Sequence, residues 1–256
     1  EAKGLLVEDQ CAKVVQLGEG IPPVLIKRSD GGTLYATRDL AAIFWRKKEY
    51  NFDKALYIVG NEQRLHFENI KKVTDLMGYN FDITHVNFGL VLQDGKKMST
   101  RKGKITKLMD VLDQAIADAK TAIEQKNPDL PNKDEVAKII GVGAIIFNDL
   151  KNERTLDYEF NLQQMVAFEG QTCPYLQYSI VRIFSILRQT QFDVNNINKE
   201  LYNEDTYFNL IKVLDLFPST IERACLDNTP STIARYLLSL AAEFNSFYAK
   251  VKINPP

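Results

Sequence analysis

"KALYIVGNEQRLHFENIKKVTDLMGYNFDITHVNFGLVLQ", residues 54–93, contains the pattern that decides the fold. The run at 54–60 is apolar after its lysine and ends in glycine, as in a strand buried in a parallel sheet. The segment that follows places four side chains on one helical face: His66, Ile70, Val73 and Met77. Gly78 ends this helix, and residues 83–93 form the next strand. The stretch therefore predicts a βαβ unit, whose ligands gather at the carboxyl ends of its strands.

The residues before this unit predict a hairpin and a helix. "PVLIKRSDGGTLYAT", residues 23–37, has Asp30-Gly31-Gly32 at the centre of two β-rich runs, and glycine supplies the positive φ angles of a tight turn. Residues 39–45 then have a helical pattern.

The residues after the unit predict a change to helical structure. Asp110 is a candidate cap for a helix with an apolar stripe, and "KNPDLPNKDE", residues 126–135, is the clearest connector. "TLDYEFN" is a short extended piece, and almost everything after Thr172 is helical. Two further stripes are Leu176, Ile180, Ile183 and Leu187, and Ile233, Leu237, Leu240, Phe244 and Phe247. We therefore predict an α/β domain at 1–165 and an all-α domain at 166–256.

Composition limits the classes of function. The formal net charge of the 256 residues is -1, so attraction to a polyanion must come from local clusters of basic residues. Three cysteines lie far apart and form no C-x-x-C pair, which indicates reduced thiols and a cytoplasmic protein. No apolar run is long enough to span a bilayer, so we expect no membrane partner. With two histidines in the chain, we expect no metal cluster built around them.

One cluster of basic residues follows the second strand. "GKKMSTRKGKI", residues 95–105, has five basic residues, two glycines and no acid. It is either a solvated surface turn or a mobile loop that closes over a polyphosphate. It is not a Walker loop, because G-x-x-x-x-G-K-[ST] is absent.

Two other places have polar residues with two possible roles. Gly60, Gln63 and His66 stand where a strand ends and a helix begins, a usual place for ribose or phosphate, although His66 also fits a core position. Asp39 either caps the helix that follows it or, with Tyr35 four residues earlier, binds a guanidinium in the planar, bidentate manner of a carboxylate. Spacing alone leaves both alternatives open.

Taken together, five segments closely resemble arginyl-tRNA synthetase, a class I aminoacyl-tRNA synthetase, in the order and spacing of that family. They are "LYATRDLAA", "YIVGNEQRLHF", "FGLVLQDGKKMSTRKGK", "GAIIFNDLKN" and "FEGQTCPYLQY". The resemblance implies a Rossmann-type catalytic domain followed by a helical anticodon-binding domain. It also implies arginine, ATP with Mg²⁺, and tRNA-Arg as the substrates and partners of an arginine–tRNA ligase.

The resemblance assigns roles to particular residues. Tyr35, Asp39 and Gln63 resemble the residues that hold the arginine substrate, and Gly60 and His66 resemble residues near the ribose and adenine of ATP. The loop resembles the class I signature Lys-Met-Ser-Lys-Ser, which closes on the triphosphate as arginine attacks the α-phosphorus. The matching positions are Lys97, Met98, Ser99, Thr100 and Arg101. Thr100 stands where the family has its second lysine, and Lys102 or Lys104 is placed to supply that charge.

The helical end is slightly acidic, so we expect it to contact tRNA by stacking and hydrogen bonding to splayed anticodon bases. Candidate stacking residues are Tyr202, Tyr207, Tyr236 and Tyr248, although most aromatic residues in helical stripes are core residues.

The second class I signature, His-x-Gly-His, cannot occur in a chain whose histidines are His66 and His85. The resemblance therefore implies a C-terminal fragment that lacks the N-terminal half of the catalytic domain and does not aminoacylate alone. We expect the incomplete fold to expose an apolar face and to self-associate. The alternatives are a stand-alone, non-catalytic tRNA-binding module and an unrelated nucleotidyltransferase of the same superfamily. The arginine-pocket residues favour the ligase fragment over both.

Overall fold

The structure is a computed structural model that describes residues 1–97, 107–189, 195 and 198–251. The chain forms two compact units, a first unit at Glu1–Leu90 and a second unit at Val91–Pro256. The predicted functional division at residues 165 and 166 lies elsewhere in the sequence and stays a prediction.

The first unit contains an antiparallel sheet and a parallel strand pair. Strands β1 (Leu6–Asp9), β2 (Ala12–Val15) and β3 (Val24–Lys27) form the antiparallel sheet in that order. Helix α1 (Tyr35–Tyr50), strand β4 (Lys54–Gly60), helix α2 (Arg64–Leu76) and strand β5 (Asp82–Phe88) follow. Strand β4 pairs in parallel with β5, from Lys54 opposite Asp82 to Gly60 opposite Phe88. The predicted βαβ unit is confirmed.

One apolar core joins the elements of the first unit. It contains residues from β2, β3, α1, α2 and β5: Val15, Val24, Leu40, Ile43, Ile70, Val73 and Ile83. Helix α2 ends where predicted, because Gly78 adopts a φ of 83°, a left-handed conformation that glycine adopts without steric cost. The core holds α1 and α2 together, and each helix brings a candidate side chain to the site.

The predicted hairpin is present in reduced form. Gly31 adopts a φ of 82°, and the carbonyl of Arg28 accepts a turn hydrogen bond from its amide. The second arm, however, is a single bridge between Lys27 and Thr33. The chain enters α1 at Tyr35, four residues before the predicted start of the helix, so there is no room for a longer arm.

The predicted strand at 83–93 is wrong in length. Strand β5 stops at Phe88, and strand β6 (Val91–Gln93) belongs to the second unit. Gly89 separates the two strands, and glycine weakens a strand because it offers no side chain to pack. Strand β6 pairs with β7 (Lys96–Lys97) and β8 (Tyr158–Glu159) instead.

The rest of the second unit is helical, as predicted. Helices α3 (Leu108–Lys126) and α4 (Lys133–Lys151) form a hairpin, and the short helix α5 (Leu162–Met165) follows β8. The remaining helices are α6 (Cys173–Gln189), α7 (Asp205–Asp215), α8 (Phe217–Asp227) and α9 (Pro230–Lys250). Asp110 lies inside the first turn of α3, whose N-cap is Lys107, so the predicted cap is wrong.

Most of the apolar stripe that the sequence places on helix α6 is exposed. Ile180, Ile183 and Leu187 are exposed, whereas Ser179 is buried. The buried side of α6 packs on α9 through polar groups, because Asn245 donates to the hydroxyls of Ser179 and Tyr175 at 2.9 and 3.0 Å. Arg182 in turn donates to the side-chain oxygen of Asn245 at 2.9 Å.

Strand β4 also differs from its prediction. It was expected to be buried on both faces, but the side chains of Leu56 and Ile58 are 47% and 69% exposed. Within the described residues the parallel sheet has two strands, and α2 connects them. The expected exposed apolar face is therefore found on β4, whereas self-association stays a prediction.

We predict that the exposed face of β4 makes the chain self-associate, because contiguous apolar strand surface favours edge and face contacts between copies. Replacing both Leu56 and Ile58 with threonine, which keeps β propensity, should raise the monomer fraction in light scattering. The matched control is Leu226→Thr on α8, a single apolar residue that is 79% exposed. A wild-type chain that stays monomeric at high concentration would contradict this prediction.

The α3–α4 hairpin depends on Gly141. A Cβ atom at this position would lie 2.7 Å from the Ala115 carbonyl carbon and 2.7 Å from the Ile116 nitrogen, where real Cβ atoms are essentially never found. At Gly143 the nearest atoms are the ends of side chains, the Cys173 Sγ at 3.1 Å and the Gln177 Nε2 at 3.4 Å. The two helices can therefore approach closely at Gly141 because it lacks a side chain.

We predict that Gly141→Ala lowers the free energy of unfolding by about 2 kcal/mol, because the overpacked backbone outweighs the gain in helix propensity. Gly143→Ala should change it by less than about 0.5 kcal/mol, since side-chain ends can move. Urea denaturation of the two variants measures the difference. Equal effects of the two substitutions would show that the close approach is unimportant.

Candidate active site

The carboxyl ends of β4 and β5 carry polar residues side by side. A 3-10 helix, Asn61–Gln63, directly follows β4 and leads into α2. The side-chain nitrogen of Asn87, near the end of β5, donates to the side-chain oxygen of Asn61 at 2.6 Å. Ligands of open parallel sheets bind at this edge, so the two asparagines mark the site that the βαβ pattern predicted.

Asp39 and His66 meet at this edge. The Nε2 atom of His66, in the first turn of α2, lies 2.6 Å from the Oδ2 atom of Asp39 in α1. A carboxylate only accepts hydrogen bonds, so the imidazole Nε2–H is the donor. The two side chains are 25% and 38% exposed, respectively, which leaves the carboxylate accessible to a ligand.

The ring of His66 packs against a cluster of aromatic side chains. Phe67 is buried and stacks on His85, with ring centroids 5.0 Å apart, and it also contacts Tyr57 at 4.7 Å. The His66 ring stands edge-on to Phe67 at 5.2 Å. The Nε2 atom of His85 lies 3.0 Å from the carbonyl oxygen of Val59, to which it must donate.

A second charged contact lies beside this layer. Arg46 donates to the hydroxyl of Tyr57 at 2.9 Å and places its guanidinium 5.7 Å from the ring centroid. Burial raises the pKa of Tyr57, Arg46 opposes that shift, and the negative charge of Asp39 adds to it. The field of Asp39 therefore reaches Tyr57, so the two side chains belong to one electrostatic neighbourhood.

The structure excludes one of the two roles considered for Asp39. Helix α1 begins at Tyr35 with Leu34 as its N-cap, so Asp39 lies inside the helix and the capping alternative is wrong. Tyr35 is 79% exposed and one helical turn before Asp39, which puts both on one face. Gln63 ends the 3-10 helix and is exposed. Within the described residues, neither Tyr35 nor Gln63 has a side-chain hydrogen bond.

Gly60 ends β4 and is buried. Its φ of -58° is open to any residue, so the backbone conformation does not require glycine. A Cβ atom here would lie 2.5 Å from a carboxylate oxygen of Glu62, so the side chain of Glu62 occupies the space that the missing side chain of Gly60 leaves.

The basic loop begins in the second unit. Strands β6 and β7 form a hairpin across Asp94 and Gly95, whose φ angles of 53° and 68° fit a two-residue turn with left-handed residues. Gly95 also donates its amide to the Glu159 carboxylate at 3.1 Å. Lys97 ends β7 and is exposed. The other predicted loop residues lie outside the described residues: Met98, Ser99, Thr100, Arg101, Lys102 and Lys104.

Four of the residues around the site were missed by the sequence reasoning: Arg46, Tyr57, Asn61 and Asn87. The asparagines had a usable signal, because each lies at the carboxyl end of one of two parallel strands. No sequence signal indicated Arg46 and Tyr57, because their contact joins a helix to a strand and leaves no pattern in the local sequence.

The four candidate tyrosines of the helical end divide into two groups. Tyr236 is 8% exposed and packs against Phe217 at 5.8 Å, and Tyr207 packs against Phe247 at 5.1 Å. Tyr202 and Tyr248 are exposed. Burial excludes Tyr236 as a stacking platform for RNA, so this expectation is corrected.

Two other kinds of site are absent from the described residues. No three His, Cys, Asp or Glu side chains among them converge as metal ligands. None of their helices combines the length and the low polarity that a membrane span requires.

This chain is similar to known proteins over almost its entire length. A family model described as "tRNA synthetases class I (R), catalytic domain" matches residues 1–162, and a model described as "DALR anticodon binding domain" matches residues 176–256. The predicted order, an α/β catalytic part before a helical part, is confirmed.

Curated relatives named arginine–tRNA ligase match over almost the full chain. Arginine–tRNA ligase 1 of Bacillus thuringiensis subsp. konkukian is 50% identical over 99% of this chain and 45% of its own length. The arginine–tRNA ligase of Streptococcus pneumoniae (strain Hungary19A-6) is 50% identical over 98% of this chain, and the match again covers 45% of the relative. The chain thus spans less than half the length of these curated relatives.

Solved structures agree with this similarity. The arginyl-tRNA synthetase of Thermus thermophilus matches with a TM-score of 0.87 and 25% identity, over 99% of this chain and 49% of that one. The enzyme of Plasmodium falciparum gives a TM-score of 0.85 and 26% identity, over 99% of this chain and 44% of that one. Because the catalytic family model matches more than half of its residues, the chain belongs to the arginine-specific class I tRNA synthetase family.

Proposed function

We propose that this chain is the C-terminal part of an arginine–tRNA ligase, which activates arginine with ATP to arginyl-adenylate and transfers it to tRNA-Arg. The observation that carries the proposal is the half-exposed carboxylate of Asp39, held at the ligand-binding edge of the parallel strands. The 50% identity to ligases over almost the full chain supports it.

Asp39 is proposed to bind the guanidinium group of the arginine substrate. A carboxylate offers two oxygens in one plane, and a guanidinium offers parallel N–H groups at the matching spacing. Tyr35 lies one turn earlier on the same helix face, and Gln63 lies at the start of α2, so both are proposed to contact the same substrate. Lysine presents a point charge and cannot form the paired bonds, which gives a basis for discrimination.

ATP is the proposed second substrate. Gly60, at the carboxyl end of β4, is proposed to lie beside the ribose, and Lys97 begins the loop that is proposed to close on the triphosphate. The roles of Met98, Ser99, Arg101 and Lys102 on ATP rest on the resemblance, as does a contact between His66 and ATP. The basic side chains would stabilise the charge that develops when the arginine carboxylate attacks the α-phosphorus and pyrophosphate leaves.

Mg²⁺ is proposed to reach the site with ATP. The described residues contain no group of three potential protein ligands for it, and Mg²⁺ commonly binds through substrate phosphates while it keeps several waters. The ion is therefore proposed to belong to the nucleotide substrate.

The helical part is proposed to bind tRNA-Arg, which its match to an anticodon-binding family supports. The N-terminal half of the same enzyme is the proposed protein partner of the first unit. The cytoplasm is the proposed location, in keeping with the three free cysteines of the chain.

The test is arginine-dependent exchange of pyrophosphate into ATP in the presence of tRNA, with the product of the complete reading frame that encodes this chain. We predict that Asp39→Asn lowers kcat/KM for arginine by about 100-fold, because a charge-assisted pair with the guanidinium is lost. Asp53→Asn, an exposed carboxylate outside the site, should change it by less than about twofold.

Three results of this assay are informative. Exchange with the complete product, but not with the 256-residue chain alone, supports a fragment of a ligase. Exchange by this chain alone would overturn the proposal that it requires an N-terminal half. A complete product that binds tRNA-Arg but never exchanges pyrophosphate would instead identify the alternative, a non-catalytic tRNA-binding module.

The tyrosines of the helical part give a separate prediction. Tyr236→Ala should lower the free energy of unfolding by about 3 kcal/mol, because it leaves a cavity in the core. Tyr202→Ala and Tyr248→Ala should change it by less than about 1 kcal/mol, yet weaken tRNA binding by about tenfold each if their rings stack on bases. Urea denaturation and filter binding measure the two quantities. Unchanged tRNA affinity in both variants would remove these rings from the interface.

A further inference from the structure

We propose that His66 is a positioning residue for arginine recognition: its Nε2–H fixes the plane of the Asp39 carboxylate that pairs with the guanidinium. This inference rests on the proposed function and deepens it. It differs from the contact with ATP that the resemblance implies for His66, and the experiments below distinguish the two roles.

The first support is the geometry of the pair. At 2.6 Å between Nε2 and Oδ2, the two atoms lie within hydrogen-bonding distance, and the acceptor is a carboxylate, which makes the bond stronger than one between neutral groups. It joins α1 to α2, and these helices share the core residues Ile43, Ile70 and Val73. A donor on one packed helix therefore fixes an acceptor on the other.

The second support is that the ring of His66 is held by its neighbours, whereas the carboxylate of Asp39 depends on His66. Phe67 contacts the imidazole edge and is fixed by Tyr57 and His85 on the strands. Asp39 accepts no other side-chain hydrogen bond from the residues of the described ranges, so the bond from His66 is the polar contact that orients its carboxylate. Its Oδ1 atom, together with the unused lone pair on Oδ2, is left for a ligand.

This arrangement has a chemical consequence for selectivity. A guanidinium fork needs the carboxylate in one plane, whereas an ammonium accepts almost any orientation. Loss of the imidazole donor would let the carboxylate rotate, which weakens arginine binding more than lysine binding. His66 would therefore contribute to discrimination between arginine and lysine without touching either substrate.

The ring has little left to offer ATP. Its Nε2 atom is committed to Asp39, so nucleotide contact is restricted to Nδ1 or to the ring face. The two possible roles of His66 therefore predict different effects of the same substitution. A role in ATP binding predicts a higher KM for ATP, whereas a role in orienting Asp39 predicts a higher KM for arginine.

The experiment compares His66→Leu, which removes the donor at similar volume, with His66→Gln, whose Nε2 can replace it. Pyrophosphate exchange is measured with the product of the complete reading frame, and KM is determined separately for arginine and ATP. We expect His66→Leu to raise KM for arginine by about tenfold and to reduce discrimination against lysine, while KM for ATP changes less than about twofold. His66→Gln should recover most of the loss.

A double-mutant cycle with Asp39→Asn tests whether His66 acts through Asp39. Once Asp39 is asparagine, His66→Leu should add less than about a twofold change, because the group that it positions is already altered. Independent, multiplying effects of the two substitutions would overturn the proposal. A rise in KM for ATP with KM for arginine unchanged would overturn it as well.

A spectroscopic measurement keeps the proposal testable whatever the activity. The chain has two histidines, and each Nε2 donates a hydrogen bond, His66 to Asp39 and His85 to the Val59 carbonyl. In a ¹H–¹⁵N spectrum of the side chains, Asp39→Asn should shift the Nε2–H signal of His66 and speed its exchange with water. The His85 signal is the internal control and should stay in place. An unchanged His66 signal would refute the hydrogen bond.

These measurements separate the two proposals. A complete product without arginine-dependent exchange would refute the proposed ligase, while the histidine spectrum would still report on the hydrogen bond. An active enzyme in which His66→Leu leaves KM for arginine unchanged would refute only the positioning role.

Discussion

The parallel pairing of β4 with β5 is the constraint on which the candidate site depends. Parallel strands require a crossover, so α2 must begin at the carboxyl end of β4, and this places His66 at the edge where ligands bind. The same pairing brings Asn61 and Asn87 together. Helix α1 packs on α2 through the shared core and supplies Asp39 from the other side. The polar contacts of this edge thus follow from one pairing of backbones.

The substrates of the proposed reaction carry opposite charges, and the chain has a candidate group for each of them. Arginine carries a fixed positive charge at the far end of its side chain, and ATP carries several negative charges. Asp39 is suited to the first and the basic loop to the second, so the two are placed on different elements and in different units.

Much of the fold could be predicted because hydrophobic periodicity is local. The βαβ unit, helix α3 and the helical character after Thr172 all follow from repeats of apolar residues. The burial of individual faces could not, because it depends on what packs against them. Ile58 belongs to a strand-like run but is exposed, and α6 buries Ser179 in place of its apolar stripe. The bond between Asp39 and His66 joins two helices across 27 positions, and no local pattern reports such a distant contact.

The α3–α4 hairpin, with its close backbone approach at Gly141, has a consequence for the order of folding. Its two helices are neighbours in the chain and are joined by a short loop, so their contacts close at a small cost in chain entropy. The pairing of β6 with β8 sets Val91 opposite Tyr158, so it closes a long loop of chain that contains both helices. The hairpin should therefore form before the sheet at the root of the basic loop is complete. When the full chain refolds, contacts between α3 and α4 should therefore appear before β8 completes the sheet from which the basic loop extends.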